Sequence, residues 1–343
     1  MKRPLITSLL AIALLAPLCA GRIGAQQAGQ DQADKQQAAS PSAAAPTYPL
    51  ATLQRDFKNS FPIPAGEKLE YEVKISRFPL FNASLGVLTL ENLGAVTNSQ
   101  NSVAAAGDQQ KAPAPLIEGM NTAFTPAPDE QLLRLRATAV SKGMLTALVG
   151  YDVRNRFETL VDLRDFSARV SFKEEKEGKR HVVQSTIFDR AEQQVRYLTT
   201  DLAKPDAPPR AKPLPREDGM LGLLSAIYFV RLQKLNEGQM LSFPVSVDEA
   251  NYQFEVLVGK RESLKTECGM VKTVKLEPKL FGLGRYFNKL QGEMTMWVSD
   301  DNKRTPLRLV AKTNKGTFSA KLLNFKKKCN IIEPEDEVKQ KND

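Results

Sequence analysis

The 343 residues hold one histidine, His181, and three cysteines, Cys19, Cys268 and Cys329. Proton transfer and metal-bound water draw first on such side chains, so their scarcity narrows the chemistry. His181 has the chemistry of a general base, but no nucleophile is spaced to work with it. It stands on a strand beside a charged hairpin turn, where a solvated histidine is the simpler reading. Cys19 lies in the leader, and one His with two Cys is too little for a His- or Cys-rich zinc site. Asp300 and Asp301 form the best carboxylate pair. They follow Trp297 and Val298 and precede Asn302 and Lys303, a setting in which acids build turns. Gly282-Leu283-Gly284-Arg285-Tyr286-Phe287 starts like a dinucleotide fingerprint, but the third glycine is missing and no helix follows. A Gly-x-Ser-x-Gly elbow is absent as well. The sequence therefore predicts a non-catalytic protein with no cofactor and no metal.

Apolar groups in unusual places suggest binding instead. In residues 281–287 the glycines lend mobility while Phe281, Leu283, Tyr286 and Phe287 present bulk. The stretch reads either as a lid over an apolar cavity or as a hairpin connection folding its aromatics onto the core. Residues 218–238, DGMLGLLSAIYFVRLQKLNEG, read as one long helix, capped by Asp218 and ended near Lys234 and Gly238. Leu221, Leu224, Tyr228, Leu232 and Leu235 form one stripe, and Met220, Leu223, Ile227 and Val230 an adjoining one. Ser225 falls on the more polar arc with Gly222 and Gln233. A helix this apolar needs a concave partner. Leu224, Ile227 and Tyr228 join the four loop residues as candidates to face an apolar ligand.

The elements that must supply that concavity are strands. Residues 1–25 read as an export signal: Lys2 and Arg3 precede an apolar run too short to span a bilayer. Acylation at Cys19 is the less favoured alternative, because Leu18 fits that processing poorly. Residues 26–48, rich in Gln, Ala, Ser and Pro, read as a flexible linker. Residues 49–328 then form one domain. Alternation in 66–76 places Leu69, Tyr71 and Val73 on one face and Lys68, Glu70, Glu72 and Lys74 on the other. Strand patterns recur at 81–91, 132–140, 151–160, 166–173, 181–188, 193–198, 240–247, 252–261, 271–276, 292–298, 307–313 and 317–325. Residues 92–131 read as a disordered insertion, 143–148 as a helical turn, EEKEGKR (174–180) as a charged turn and 201–215, with five prolines, as a loop. Residues 329–343 form a charged C-terminal tail. The predicted fold is mainly β: a strongly curved antiparallel sheet, or open half-barrel, around one long apolar helix.

The formal charge is +9, and +6 once Lys2, Arg3 and Arg22 leave with the signal. Its dispersal suits solubility, or contact with anionic envelope polymers or lipids, and not nucleic acid. Export to an oxidising space and an even count allow a disulfide between Cys268 and Cys329, or leave two thiols.

Several short stretches together resemble a bacterial exported family known as domain of unknown function 3108. They are Gly66-Glu67-Lys68-Leu69-Glu70-Tyr71, Arg154-Asn155-Arg156-Phe157-Glu158, Phe188-Asp189, and Leu224-Ser225-Ala226-Ile227-Tyr228-Phe229-Val230-Arg231 with Gly238 after it. Trp297-Val298-Ser299-Asp300-Asp301 with Thr305-Pro306-Leu307 completes the set. The resemblance spans about residues 66–325 without the insertion, and it implies no catalytic residue. By fold analogy the arrangement is similar to lipoprotein carriers, in which a curved sheet holds a helix against its hollow side.

The leading expectation is an exported, periplasmic binding module that holds an apolar, lipid-like ligand between sheet and helix. A structural or interaction protein of the envelope, bound to another protein or to polymer, and an enzyme with an unrecognised site stay open. Cell fractionation with N-terminal sequencing is expected to find a mature chain outside the inner membrane that starts near residue 21 or 26. A chain beginning at an acylated Cys19 would contradict the signal assignment.

Overall fold

The structure, a computed structural model, describes residue 57 and residues 61–323, apart from 78–80, 97–115, 128, 143–151, 268, 283, 289–290 and 315. The expected signal, linker, helical turn at 143–148 and C-terminal tail lie outside the described residues, as do Cys19, Cys268 and Cys329.

The chain first lays down β1 (Lys68–Arg77), β2 (Phe81–Val96), β3 (Leu132–Ser141), β4 (Val153–Asp162), β5 (Ala168–Glu177), β6 (Arg180–Asp189), β7 (Gln194–Asp201) and β8 (Arg210–Pro215). The helix α1 (Leu223–Arg231) follows, then β9 (Met240–Val247), β10 (Ala250–Thr266), β11 (Gly269–Pro278), β12 (Gly292–Ser299), β13 (Pro306–Thr313) and β14 (Gly316–Leu322). Among the described residues the fourteen strands pair antiparallel in a single sheet. Each strand except β8 neighbours the next in sequence, and the last, β14, pairs with the first, β1. The free edges are therefore β8 and β9, the two strands on either side of α1.

Those edges do not pair, so the sheet stays open. Instead β9 tucks against the hollow face of β5–β7. Tyr197 and Ser246 hydroxyls meet at 2.9 Å. Met220 accepts from the Ala168 amide of β5 while Leu221 bridges to β9 through Pro244 and Ser246. Alternation decides which side chains fill the hollow: Leu69, Tyr71, Val73 and Ile75 of β1 are buried there, as are Leu133, Leu135, Ala137 and Ala139 of β3. A chain of rings, Phe61, Phe166, Phe229 and Phe243, with successive centroids 5.9, 6.1 and 5.3 Å apart, ties the 61–63 segment to the helix and β9.

The helix is shorter than its apolar pattern suggests: nine residues, not the twenty-one of 218–238. Gly219 takes φ +66°, Met220 and Leu221 run extended, and Gly222 caps the helix. Gly222 also allows close packing, since a Cβ there would stand 2.6 Å from Ser171 Oγ. Asp218, expected as the cap, is exposed and pairs with Arg216. Ser225 is wholly buried, not on a polar arc; its Oγ accepts from the Gly222 amide at 2.9 Å, an N-terminal cap.

Other expectations also shift. Of the expected insertion, 92–96 belong to β2, whereas 116–127 lie on the outer face of β3–β7. There Ile117 packs with Leu160, Val170 and Phe172, and Asn121 donates to Thr200. The acids and lysines of 174–177 continue β5 instead of turning, because their hollow-facing members find buried partners. The proline-rich 210–215 form an edge strand, a position that tolerates Pro213 and Pro215. Asp300 and Asp301 do sit in a turn, where Asp301 accepts from the Lys303 and Arg304 amides.

Arg231, the last helical residue, is fully buried. Its guanidinium makes a two-pronged pair with Glu67, at 2.7 and 2.8 Å, and donates to the Lys303 and Arg304 carbonyls. One side chain thus joins the helix end, the entry to β1 and the β12–β13 turn. Removing one member leaves a buried charge alone, so Glu67→Ala is expected to cost about 3–5 kcal/mol in urea unfolding. The double variant Glu67→Leu/Arg231→Met should lose less than Glu67→Ala. Equal losses would show that the site does not sense an unpaired charge.

Candidate functional site

The hollow is not filled. A cavity of about 120 Å³ lies between α1 and the half of the sheet running from β1 through β14 to β9. The helix contributes Leu223, Ala226, Ile227 and Val230, spaced i, i+3, i+4 and i+7 on one face. Tyr71, Leu88 and Leu90 come from β1 and β2; Phe243, Phe254 and Val256 from β9 and β10; and Met294 and Met296 from β12. The wall is almost wholly apolar. On the scale at which one water-sized group takes about 10–15 Å³, the space holds roughly eight to twelve such groups.

Phe281, Gly282 and residues 284–287 close one side. Tyr286 and Phe287 line the cavity. The loop is held by a Phe281–Phe287 stack at 5.0 Å, an Arg285–Glu255 ion pair at 2.7 Å and the Phe287 amide on the Leu280 carbonyl. Gly282 and Gly284 take φ +106° and +75°, which a side chain at either position would oppose. Tyr286 donates its phenol to Asp248 Oδ2 at 2.7 Å. Burial, reinforced by the Asp248 charge, pushes the Tyr286 pKa well above the ordinary tyrosine value.

Asp248 belongs also to a second, smaller space of about 60 Å³, enclosed by the hollow face of β4–β7, the start of α1 and the end of β9. Leu223 faces both spaces. Here the wall is mixed: Phe157, Phe172 and Leu224 stand beside a polar set of Ser171, Lys173, Gln184, Thr186 and Asp248. Lys173 Nζ donates to Asp248 Oδ1 at 2.8 Å and stands 3.7 Å from Glu175 Oε1, an oxygen with no hydrogen-bond partner. Burial, the largest influence on Lys173, pulls its pKa down; the Asp248 and Glu175 charges outweigh it and leave the pKa raised. Lys173 is therefore an ammonium whose charge is already matched. Further along β5, Glu175 pairs with Arg180 and Glu177 accepts from Asn155. Burial raises the Glu177 pKa.

Among the seven candidate residues, Ile227, Tyr286 and Phe287 meet at the large cavity. Leu224 faces the small one, and Phe281 backs the loop through its stack on Phe287. Tyr228 is buried elsewhere, its hydroxyl without a partner and its ring 5.2 Å from the Arg231 guanidinium. Leu283 lies outside the described residues. Leu223, Ala226 and Val230 were not singled out as ligand-facing, although Leu223, Ile227 and Val230 form one of the two helical stripes visible in the sequence. Lys173 and Asp248 gave no local signal, because their encounter spans 75 residues. His181 Nε2 donates to the Glu174 carboxylate, 3.1 Å away, apart from both cavities. Among the described residues no group of three His, Cys, Asp or Glu could hold a metal ion.

A family profile described as protein of unknown function (DUF3108) matches residues 121–323, more than half of the chain. The chain belongs to the DUF3108 family. In this DUF3108 protein the matched region carries α1, Lys173, Asp248 and the 281–287 loop; Gly66 to Tyr71 fall before it. No curated protein matches the chain. Among solved structures it is similar to a β-barrel-like protein of domain of unknown function DUF1849 from Brucella abortus. That likeness has 9% identity and a TM-score of 0.44, over 76% of this chain and 97% of the other. A protein described as exported and of YmcC-like fold, from Bacteroides fragilis, shows 7% identity and a TM-score of 0.27 over 76% and 96%. No helix among the described residues is long and apolar enough to cross a membrane.

Proposed function

We propose that this DUF3108 protein is a non-catalytic binding module of the cell envelope that holds an apolar, lipid-like ligand between α1 and the sheet. The observation that carries the reading is the apolar cavity itself, open beside Ile227, Tyr286 and Phe287 and left unfilled by Phe254, Val256, Met294 and Met296. Native cores close up to crystal-like density, so a space of this size with an almost entirely apolar wall calls for an occupant. Burying about ten methylenes gains about 8 kcal/mol before ordering costs, enough for micromolar binding. Residues 281–287 act as the lid, with the Tyr286–Asp248 bond as its latch. Export rests on the short apolar run after Lys2 and Arg3. The lipoprotein-carrier comparison adds an analogy of layout, and no more.

Delipidated protein titrated with N-phenyl-1-naphthylamine, a headless apolar fluorophore, is expected to bind it saturably at micromolar concentration. Phe287→Ser and Ile227→Asp should each weaken uptake at least tenfold while the far-ultraviolet circular dichroism keeps its β signature. Folded protein with no saturable uptake would leave an envelope interaction protein whose core is its own filling.

A further inference from the structure

We propose that the ligand is an amphiphile with an uncharged, hydrogen-bonding head, of the monoacylglycerol class, its chain in the large cavity and its head in the small one beside Lys173. The inference rests on the proposed binding role of the large cavity and assigns the small one, which that reading leaves unused. Leu223 stands in both walls, and Tyr286, in the wall of the large cavity, bonds to Asp248, in the wall of the small one. One molecule reaching past Leu223 would occupy both. At about 60 Å³ the small space takes roughly four to six water-sized groups, the bulk of a short polyol head.

Charge selects the head. Among the described residues Lys173 is the one cation in that wall, and its ammonium already faces Asp248 at 2.8 Å and Glu175 at 3.7 Å. Glu175 is matched by Arg180, and Glu249, next to Asp248, by Arg210. A carboxylate or phosphate brought into this space would lose its hydration, find no unmatched cation and face the Asp248 carboxylate. A hydroxyl meets neither penalty. Gln184 spends its amide hydrogens on Thr199 and Glu249, which leaves its carbonyl oxygen able to accept. Thr186, in the same wall, has no side-chain hydrogen bond among the described residues and can donate or accept. A buried head that satisfies such groups is held more selectively than one that leaves them bare.

Displacement of N-phenyl-1-naphthylamine from the full-length protein at pH 8, by 1-monodecanoylglycerol and by decanoate, separates the possibilities. The glyceride is expected to displace at a concentration at least tenfold lower than decanoate. Asp248→Asn unmatches Lys173 and keeps a residue that tolerates the φ of +51° found there, so it should shift the glyceride-to-decanoate ratio at least tenfold towards decanoate. Thr186→Val should move the ratio the same way through loss of glyceride binding, which covers the case of an unstable Asp248→Asn. Decanoate displacing as well as the glyceride, or a ratio unmoved in the folded variants, overturns the head assignment while the cavity reading stands. Failure of the headless fluorophore to bind at all removes the cavity reading, and the head assignment with it.

Discussion

A fully buried guanidinium needs a fully committed partner, and Glu67 meets Arg231 with both carboxylate oxygens. The pair fixes the end of α1 against the entry to β1, while the carbonyls of Lys303 and Arg304 accept from Nε and Nη2. The other end of the helix is fixed as tightly, by Leu221 bridged to β9 and by Gly222 pressed on Ser171. With both ends held, the helix cannot sink further into the hollow. The face that carries Leu223, Ala226, Ile227 and Val230 is left standing off the strands opposite, and the cavity is the result. A salt bridge of this kind contributes little net stability against an apolar replacement. Its effect here is positional.

The hollow face is divided by chemistry. From β1 through β14 to β9 it is apolar and encloses the large cavity; from β4 to β7 it carries Asn155, Ser171, Lys173, Glu175 and Gln184. Buried polar groups in the second half are tolerable because most are matched within the face or by the β9–β10 turn, where Asp248 and Glu249 both take positive φ. The edge strand β9 completes the polar half by lying over it instead of pairing with β8. Sheet opening and polar cluster are one feature.

Alternation made the strands legible: Leu69, Tyr71 and Val73 against Lys68, Glu70 and Glu72 admits only one facing. β5 was read only as far as Lys173, because the rest of its hollow side is itself charged, so Glu175 and Glu177 look like part of a turn until Arg180 and Asn155 are beside them. The helix was found but drawn too long. Apolar content continues through Met220 and Leu221, and only Gly219 and Gly222 mark that the backbone there is extended. β8 was hidden by prolines that an edge accepts. Of the site, the loop aromatics and Ile227 were visible as apolar groups without an evident core to join. Arg231 drew no reading of its own, since its partner lies 164 positions away.

The most direct measurement is native mass spectrometry of the protein purified gently from its own envelope. A fraction carrying a non-covalent adduct of lipid mass, lost on delipidation and absent from the Ile227→Asp variant, is what a ligand-holding cavity predicts. A single species at the mass of the bare polypeptide, from material never exposed to detergent or solvent, would contradict it.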